Sequence, residues 1–413
     1  MLQTVIEALI KIALLIGGLL GATSYLVLLE RRVAAWIQDR HGPNRVGIPL
    51  TKIRIFGLGQ PIADGVKFIF KEEFTPGHVD KWLYFLAPST MFAAALVVFA
   101  VIPFGTLDLG FEGLRAIHLM VAPGLNVAMV YVFAVGGIAV YGVVLGGWAS
   151  NNKYSVLGGL RSSAQLISYE IPLGLGILGV VLMSGSLGLD RIVAQQAESG
   201  MWNVLLQPLG FFVFAVAGFA ESGRLPFDLP EAEQELVGGY HTEYSGMKRM
   251  MYLVGEYLHM ITASFLMVVL FLGGWHFWGM PDGGEIYVDG QLVQGAWWPV
   301  AVLRVVVLLA KVLAVIVFFM VARWSWPRFR FDQLMDLAWK LMLPLGLVNL
   351  LVVAAWIEYM GRPANFAAGL AMTACGWAVL VAAWLVVTWL IPANCDNRPR
   401  PGPAGTDPDP EER

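Results

Sequence analysis

Charge is the first thing this chain lacks. Only 14% of its 413 residues are Asp, Glu, Lys or Arg, against 57% hydrophobic, where soluble domains carry about 25% charged residues. With a mean hydropathy of +0.67, the chain is excluded from the soluble globular class. Cysteine is the second scarcity. Cys375 and Cys395 alone cannot build a disulfide framework or a four-thiolate iron–sulfur site. No GxxxxGK[ST] phosphate loop, no HExxH and no Rossmann fingerprint after a strand occurs, and Gly57-Leu58-Gly59 is a lone GxG. The six histidines show no haem-bridging pattern. The expectation is a chain without its own iron–sulfur cluster, flavin, haem or metal, so any redox function needs a partner. Nothing marks a nucleic-acid partner.

What is there instead is long apolar runs. Nine candidate spans lie near 5–29, 82–103, 126–147, 163–183, 203–220, 251–278, 297–322, 337–358 and 366–392. Apolar segments of about 20 residues cross a ~30 Å hydrocarbon core, and in lipid they must be helices to satisfy their backbone. The expected fold is therefore an all-α integral membrane protein of about nine transmembrane helices. Residues 1–392 form one polytopic domain, and 393–413 a Pro-rich, disordered tail. The first apolar run reads as a span and not as a removed signal peptide, because no small-residue cleavage site follows it. Gly17 and Gly21 have GxxxG spacing, suited to close helix contact or simply tolerant of packing.

Lys and Arg give the orientation. Of 27, 21 fall in the loops 30–81, 149–162, 221–250 and 323–340 and in the tail. Three, Arg115, Arg191 and Arg362, lie on the opposite side. The positive-inside rule puts the long loops and the C-terminus in the cytoplasm and the N-terminus outside.

The first long loop opens on ERRVAAWIQDRHGPNRVGIPL, where Arg31, Arg32, Arg40 and Arg45 cluster at the helix exit. An ordinary positive-inside anchor explains these as well as a functional site does. Residues 60–73 carry Ile62, Val66, Ile69 and Phe70 on one helical face and Asp64, Lys67 and Lys71 on the other. That stretch is too short to span, so it is predicted to lie in the interface plane. On the far side EIYVDGQLV, with Asp289-Gly290 between alternating runs, predicts a two-residue β-hairpin.

Acids at membrane depth are the candidate chemistry. Glu170 lies nine residues beyond Arg161, about 13 Å along a helix. Glu221 closes the fifth span and Glu256 lies early in the sixth. Buried carboxylates are costly in lipid and tend to face a watered interior; in a row they can pass protons, whereas singly they can serve as packing partners of Arg161 or Tyr. Between Glu221 and Glu256 runs ESGRLPFDLPEAEQELVGGYHTEYSG, holding six carboxylates and one Arg. Its prolines and aromatics suggest a folded loop, and Glu231 and Glu235 share a face at i,i+4. Lys311, with Arg304 seven residues earlier on the same face, lies inside the seventh span. It is either functional or neutralised by a neighbouring subunit.

Five ordered blocks carry a resemblance: ERRVAAWIQDRHGPNRVG, GLGQPIADGVKFIFKE, GGWASNNKYSVLGGLRSSAQLISYE, ESGRLPFDLPEAEQELVGGYHTEYSGM and WPRFRFDQLMDLAWK. From about Glu30 to Pro344 the chain resembles the H-subunit family of proton-pumping NADH:quinone oxidoreductase, respiratory complex I. The resemblance implies a core membrane subunit that joins the redox arm to the membrane arm and forms much of the quinone-access chamber. Arg31, Arg32, Gln38, Arg40, Arg45, Asp64 and Phe227 would lie along or beside that chamber. Glu170, Glu221, Asp228, Glu231, Glu233, Glu235 and Glu256 would begin an acidic path from quinone chemistry to proton translocation. Quinone, ubiquinone or menaquinone, would be the substrate. The terminal iron–sulfur cluster and headgroup site would belong to peripheral-arm subunits, with small and antiporter-like membrane subunits as the other partners. Family members commonly carry Asn where this chain has Gly223, which puts the turn before Arg224 in question. Two alternatives stay open: an anchor subunit of a related membrane-bound hydrogenase, and an autonomous ion transporter.

Overall fold

In the computed structural model, residues 2–47, 56–107, 117–229, 236–278, 280, 286–288, 291–294, 296–363 and 366–390 are described. The helices are α1 (Leu2–Ile37), α2 (Gln60–Phe70), α3 (Lys81–Val97), α4 (Ala128–Ala149), α5 (Lys153–Ser184), α6 (Leu189–Ser199) and α7 (Asn203–Leu206). There follow α8 (Pro208–Glu221), α9 (Gly246–Phe271), α10 (Trp298–Ser325), α11 (Phe331–Asp336), α12 (Leu343–Met360) and α13 (Phe366–Leu390). Among the described residues, eight helices are long and apolar enough to cross a membrane, α11 and α12 counting as one through the turn between them. The chain is an all-α, multi-pass membrane protein.

The span predicted at 203–220 has a different form. It divides into α7 and α8 at Gln207, whose backbone leaves the helix at φ −133°, ψ 64°. The cause is Pro208, which disfavours helical geometry in the residue before it. The 14 residues of α8 reach only about 21 Å at ~1.5 Å per residue, short of a full crossing. Gln207 stays satisfied inside the bundle by donating to the Gly179 carbonyl at 3.1 Å. Pro344 acts similarly between α11 and α12: it offers no N–H, and its ring crowds the carbonyl of Lys340 four residues back. The helix widens there into a π turn at Leu337–Met342.

The core is built around α9. From Leu258 to Phe271 its side chains are almost all buried, as expected of a helix apolar on every side. α3, α10, α8, α1 and α6 pack around it, with α4 against α3 and α5, and α5 against α8. Small residues permit these approaches: at Gly142 a Cβ would lie 2.8 Å from the Ala87 carbonyl oxygen. Around Gly17 and Gly21, by contrast, nothing in the described chain comes within 4 Å of such a Cβ.

α2 lies on the surface with Ile62, Val66, Ile69 and Phe70 all exposed, the amphipathic arrangement predicted for the interface plane. Two short strands, β1 (Ile286–Val288) and β2 (Gln291–Gln294), pair antiparallel as the hairpin pattern predicts; the turn residues Asp289 and Gly290 lie outside the described residues. So does the tail beyond residue 390.

Candidate functional site

The site begins where α8 stops. Gly223, just past its end, has φ +63° with open space around it. Only Gly and, at small cost, Asn adopt that left-handed conformation readily. Gly223 therefore makes a left-handed turn that an Asn could also make, and the turn throws Arg224 inward. Arg224 is buried, with one arm 3.8 Å from Glu30 Oε2 and the other 3.8 Å from Glu256 Oε2. Its guanidinium lies 4.2 Å over the Tyr257 ring, a cation–π contact in a dry setting.

Each carboxylate of this cluster has further partners. Glu30, on α1, accepts from the Tyr257 hydroxyl at 2.6 Å and from Arg323 of α10. Glu256, on α9, accepts from the Tyr240 hydroxyl at 2.8 Å. Among the described residues, two carboxylates thus face two guanidiniums, and each carboxylate also accepts from a phenol. Paired and hydrogen-bonded charge of this kind can be held in a low-dielectric interior, where any one partner removed leaves a costly remainder. Asp228 lies beside it. Its backbone carbonyl accepts from Arg328, while its Oδ1 is buried with no hydrogen-bond partner among the described residues. Burial pushes the Asp228 carboxyl up to about 6, and the nearby Glu256 charge adds to the effect; Arg328, Arg323 and Arg224 oppose it.

Glu256 also lines a second feature, a cavity of about 90 Å³. Glu170 reaches it from α5, Glu221 from the end of α8, Tyr240 from the loop, and His259 and Thr262 from α9. The carboxylates predicted at membrane depth are therefore brought to one chamber from three helices. Gly136 and Gly137 of α4 form a wall of it, Gly137 facing the Glu170 carboxylate.

At the other side of α1 an apolar groove of about 800 Å³ runs between α1, α9 and α10. Leu14, Tyr25, Leu29, Phe265 and Leu309 line it, and Arg32 stands at the end where Leu58 joins from the loop. Arg32 also borders a pocket of about 200 Å³ with Trp36, His41 and Phe56. Arg31 reaches Asp64 at 2.9 Å, and Gln60 donates to the same carboxylate at 2.9 Å, so α2 is tethered to α1. Gln38 accepts from Arg40 at 2.8 Å, both exposed, and Arg45 is exposed in the loop beyond. Phe227 lies apart from the cavity and the groove, in an aromatic core cluster, stacked on Phe329 with centroids 5.4 Å apart. Glu231, Glu233 and Glu235 lie outside the described residues.

Lys311 takes a role that neither sequence reading foresaw. Its ammonium donates to the carbonyls of Leu272, Gly274 and His276 at 2.6, 3.0 and 2.6 Å, and sits 4.3 Å over Trp202. It satisfies the open carbonyls past the end of α9, where positive charge is favoured. Sequence reasoning also passed over Glu30, Tyr240, Tyr257, Arg323 and His259. Glu30 and Arg323 stand at helix ends, where a charged residue ordinarily reads as an interface anchor. The available signal was the excess of Arg over Asp and Glu around Glu30, which asks what neutralises them.

Comparison with known proteins agrees with this architecture. The family model described as NADH dehydrogenase matches residues 10–354. The H subunit of NADH-quinone oxidoreductase from Syntrophotalea carbinolica is 45% identical over 360 residues, 87% of this chain and 99% of that protein. The first of the H subunits of Geobacter metallireducens is 48% identical over 347 residues, covering 84% and 95%. The H subunit of Thermomicrobium roseum is 46% identical over 346 residues, covering 81% and 92%. The helix α13 lies beyond the family match. With nearly the full length of such relatives aligned at this identity, the chain belongs to the NADH dehydrogenase family, as a membrane subunit of the H type of NADH-quinone oxidoreductase.

Proposed function

We propose that this subunit forms the quinone-access chamber of a proton-translocating NADH:quinone oxidoreductase and couples quinone reduction to proton movement through its carboxylates. The observation that carries this reading is the double membership of Glu256. It is ion-paired with Arg224 in the cluster around Glu30, and it lines the cavity holding Glu170 and Glu221. The apolar lining of the groove that includes Arg32 suits an isoprenoid chain, and Arg31, Gln38, Arg40, Arg45 and Asp64, on the adjoining helices and loop, are proposed to serve the same chamber.

Quinone reduction takes two electrons, delivered by a partner's iron–sulfur cluster, and two protons. Negative charge developing at the reacting quinone acts strongly in a low-dielectric chamber. Here that charge draws on the guanidiniums of Arg224 and Arg323. A shift of Arg224 toward it loosens the hold on Glu256, which then takes up a proton and hands it toward Glu170 and Glu221. Asp228 is already poised near neutrality to share the exchange. The long, basic loops face the cytoplasm, where the peripheral arm docks, and the small and antiporter-like membrane subunits receive the signal.

The test uses the assembled enzyme in liposomes. Glu256→Gln and Glu170→Gln are expected to cut NADH-driven proton translocation at least tenfold while the complex still assembles. Wild-type pumping in both variants would sink the reading.

A further inference from the structure

We propose that His259 is a proton-relay residue of the acidic cavity, taking a proton from Glu256 and passing it toward Glu170 and Glu221. The inference rests on the coupling role given above and adds to it a residue that is not a carboxylate.

Three observations carry it. First, Glu256, His259 and Thr262 recur every three residues along α9 and all line the cavity. Residues three apart lie on one face of a helix, separated by about 4.5 Å of rise. From Glu256 to the end of α9 they are the polar stripe of a helix whose other side chains are largely apolar, so the imidazole is an exception that packing does not require. Second, His259 is half-buried within the bundle, and the cavity takes its accessible surface. Third, it makes no hydrogen bond or ion pair among the described residues, and neither ring nitrogen is sealed off. An imidazole partly withdrawn from water without a protein partner loses solvation that Leu or Met would not lose, so one held for packing alone is the worse choice. A cavity of about 90 Å³ with carboxylate, hydroxyl and imidazole groups on its wall has room for several waters, each needing only ~10–15 Å³ by this measure.

The groups facing His259 are Glu256 from its own helix, Glu170 from α5, Glu221 from α8 and Tyr240 from the loop; α3 and α4 contribute only apolar residues and glycine. The transfer balances in two steps. The O–H bond of protonated Glu256 breaks, and an N–H bond forms on the imidazole, directly or through one water. The imidazolium then loses the proton from its other nitrogen to the Glu170 or Glu221 carboxylate. Two distinct ring nitrogens allow a proton to arrive at one and leave from the other without rotation of the ring.

The experiment compares His259→Asn, His259→Gln and Glu256→Gln in the complete enzyme, purified and reconstituted in liposomes, with initial proton translocation recorded from pH 6 to 8.5. Asn and Gln keep hydrogen bonding and most of the volume but cannot titrate. The expected result for either His variant that assembles is an at least tenfold lower translocation rate and loss of the rate's pH dependence around neutrality. Wild-type rates in both His variants, with Glu256→Gln impaired, overturn the relay and leave the coupling role standing. A uniform loss with an unchanged pH profile also overturns it, because a packing role has that signature. Wild-type behaviour of all three variants removes the coupling role itself.

Discussion

Glu30→Gln is the sharpest probe of the charged cluster. The substitution keeps shape and hydrogen-bonding capacity and removes one charge. Glu30 is 7% exposed and is held by Tyr257, Arg323 and Arg224. At 3.8 Å from Arg224, its gross attraction is about 4 kcal/mol at an effective dielectric constant near 20. Arg323, in direct contact, adds at least as much. Most of this is offset by desolvation already suffered, but breaking a buried pair from one side still costs about 3–5 kcal/mol. Two guanidiniums then share Glu256 alone among the cluster's two carboxylates. A membrane complex of this size unfolds irreversibly, so the measurable quantity is a lifetime. The half-life of quinone-reductase activity at a fixed inactivating temperature should fall at least tenfold, a decade being 1.4 kcal/mol and well under half the loss. Arg323→Gln in the same background removes the surplus charge, so the double variant should outlive the product of the two single effects. A Glu30→Gln enzyme with the wild-type half-life, or strictly additive variants, would refute a charge-balanced cluster.

Two further outcomes follow from the same geometry. Asp228 has its carboxyl raised from 3.8 to about 6 by burial and by Glu256. The folded state thus binds the extra proton between those values, and Asp228's contribution to stability is greatest below about 4 and lost as pH rises through about 6. Asp228→Asn should flatten the fall in thermal half-life between pH 5 and 7, and an unchanged slope would count against the assignment. Gly158→Ala should impair turnover although alanine is the better helix former by about 1 kcal/mol. Its Cβ would lie 2.6 Å from the Tyr240 nitrogen, which must move and carry its hydroxyl off Glu256; normal activity would show that the Tyr240 hydrogen bond is dispensable.

The parts of this molecule legible in sequence are those with a local physical signature. Spans announce themselves by length and hydropathy, and α2 by the alternation of Ile62, Val66 and Ile69 with Asp64 and Lys67. Glu170, Glu221 and Glu256 are conspicuous because charge in lipid is costly, and the cavity does collect them. The broken helix at Gln207 was written in Pro208 but masked by the apolar run around it, since hydropathy ignores backbone geometry. Around Glu30 the only signal was an excess of Arg, and its pairing with Arg323 was not legible: 293 residues separate the two ends of their bond. His259 was hidden for a different reason, because one histidine in an apolar run is ordinarily a core residue, and only its neighbours from α5 and α8 give it chemistry. Lys311 could be recognised as exceptional, but which carbonyls it caps depends on how the chain past α9 folds back.

On the coupling role proposed above, the arrangement gives a subunit without a redox centre in its sequence pattern a way to respond to one. Arg224 divides its attraction equally, 3.8 Å to Glu30 and 3.8 Å to Glu256. Moving the guanidinium 1 Å away from Glu256 weakens that pair by about 1 kcal/mol at an effective dielectric constant of 20, roughly a fivefold change in the proton affinity of the carboxylate. When the motion carries the guanidinium toward Glu30, the opposite pair strengthens in compensation, so the motion itself is nearly free. A cation balanced between two carboxylates therefore converts a small electrostatic pull into a protonation change on one residue, and that residue is the one that opens on the cavity. Had Arg224 been paired with Glu256 alone, the same pull would have to work against the whole ion pair. Under that proposal the shared guanidinium is what would make coupling at a distance cheap, and the left-handed turn at Gly223 is what brings Arg224 there.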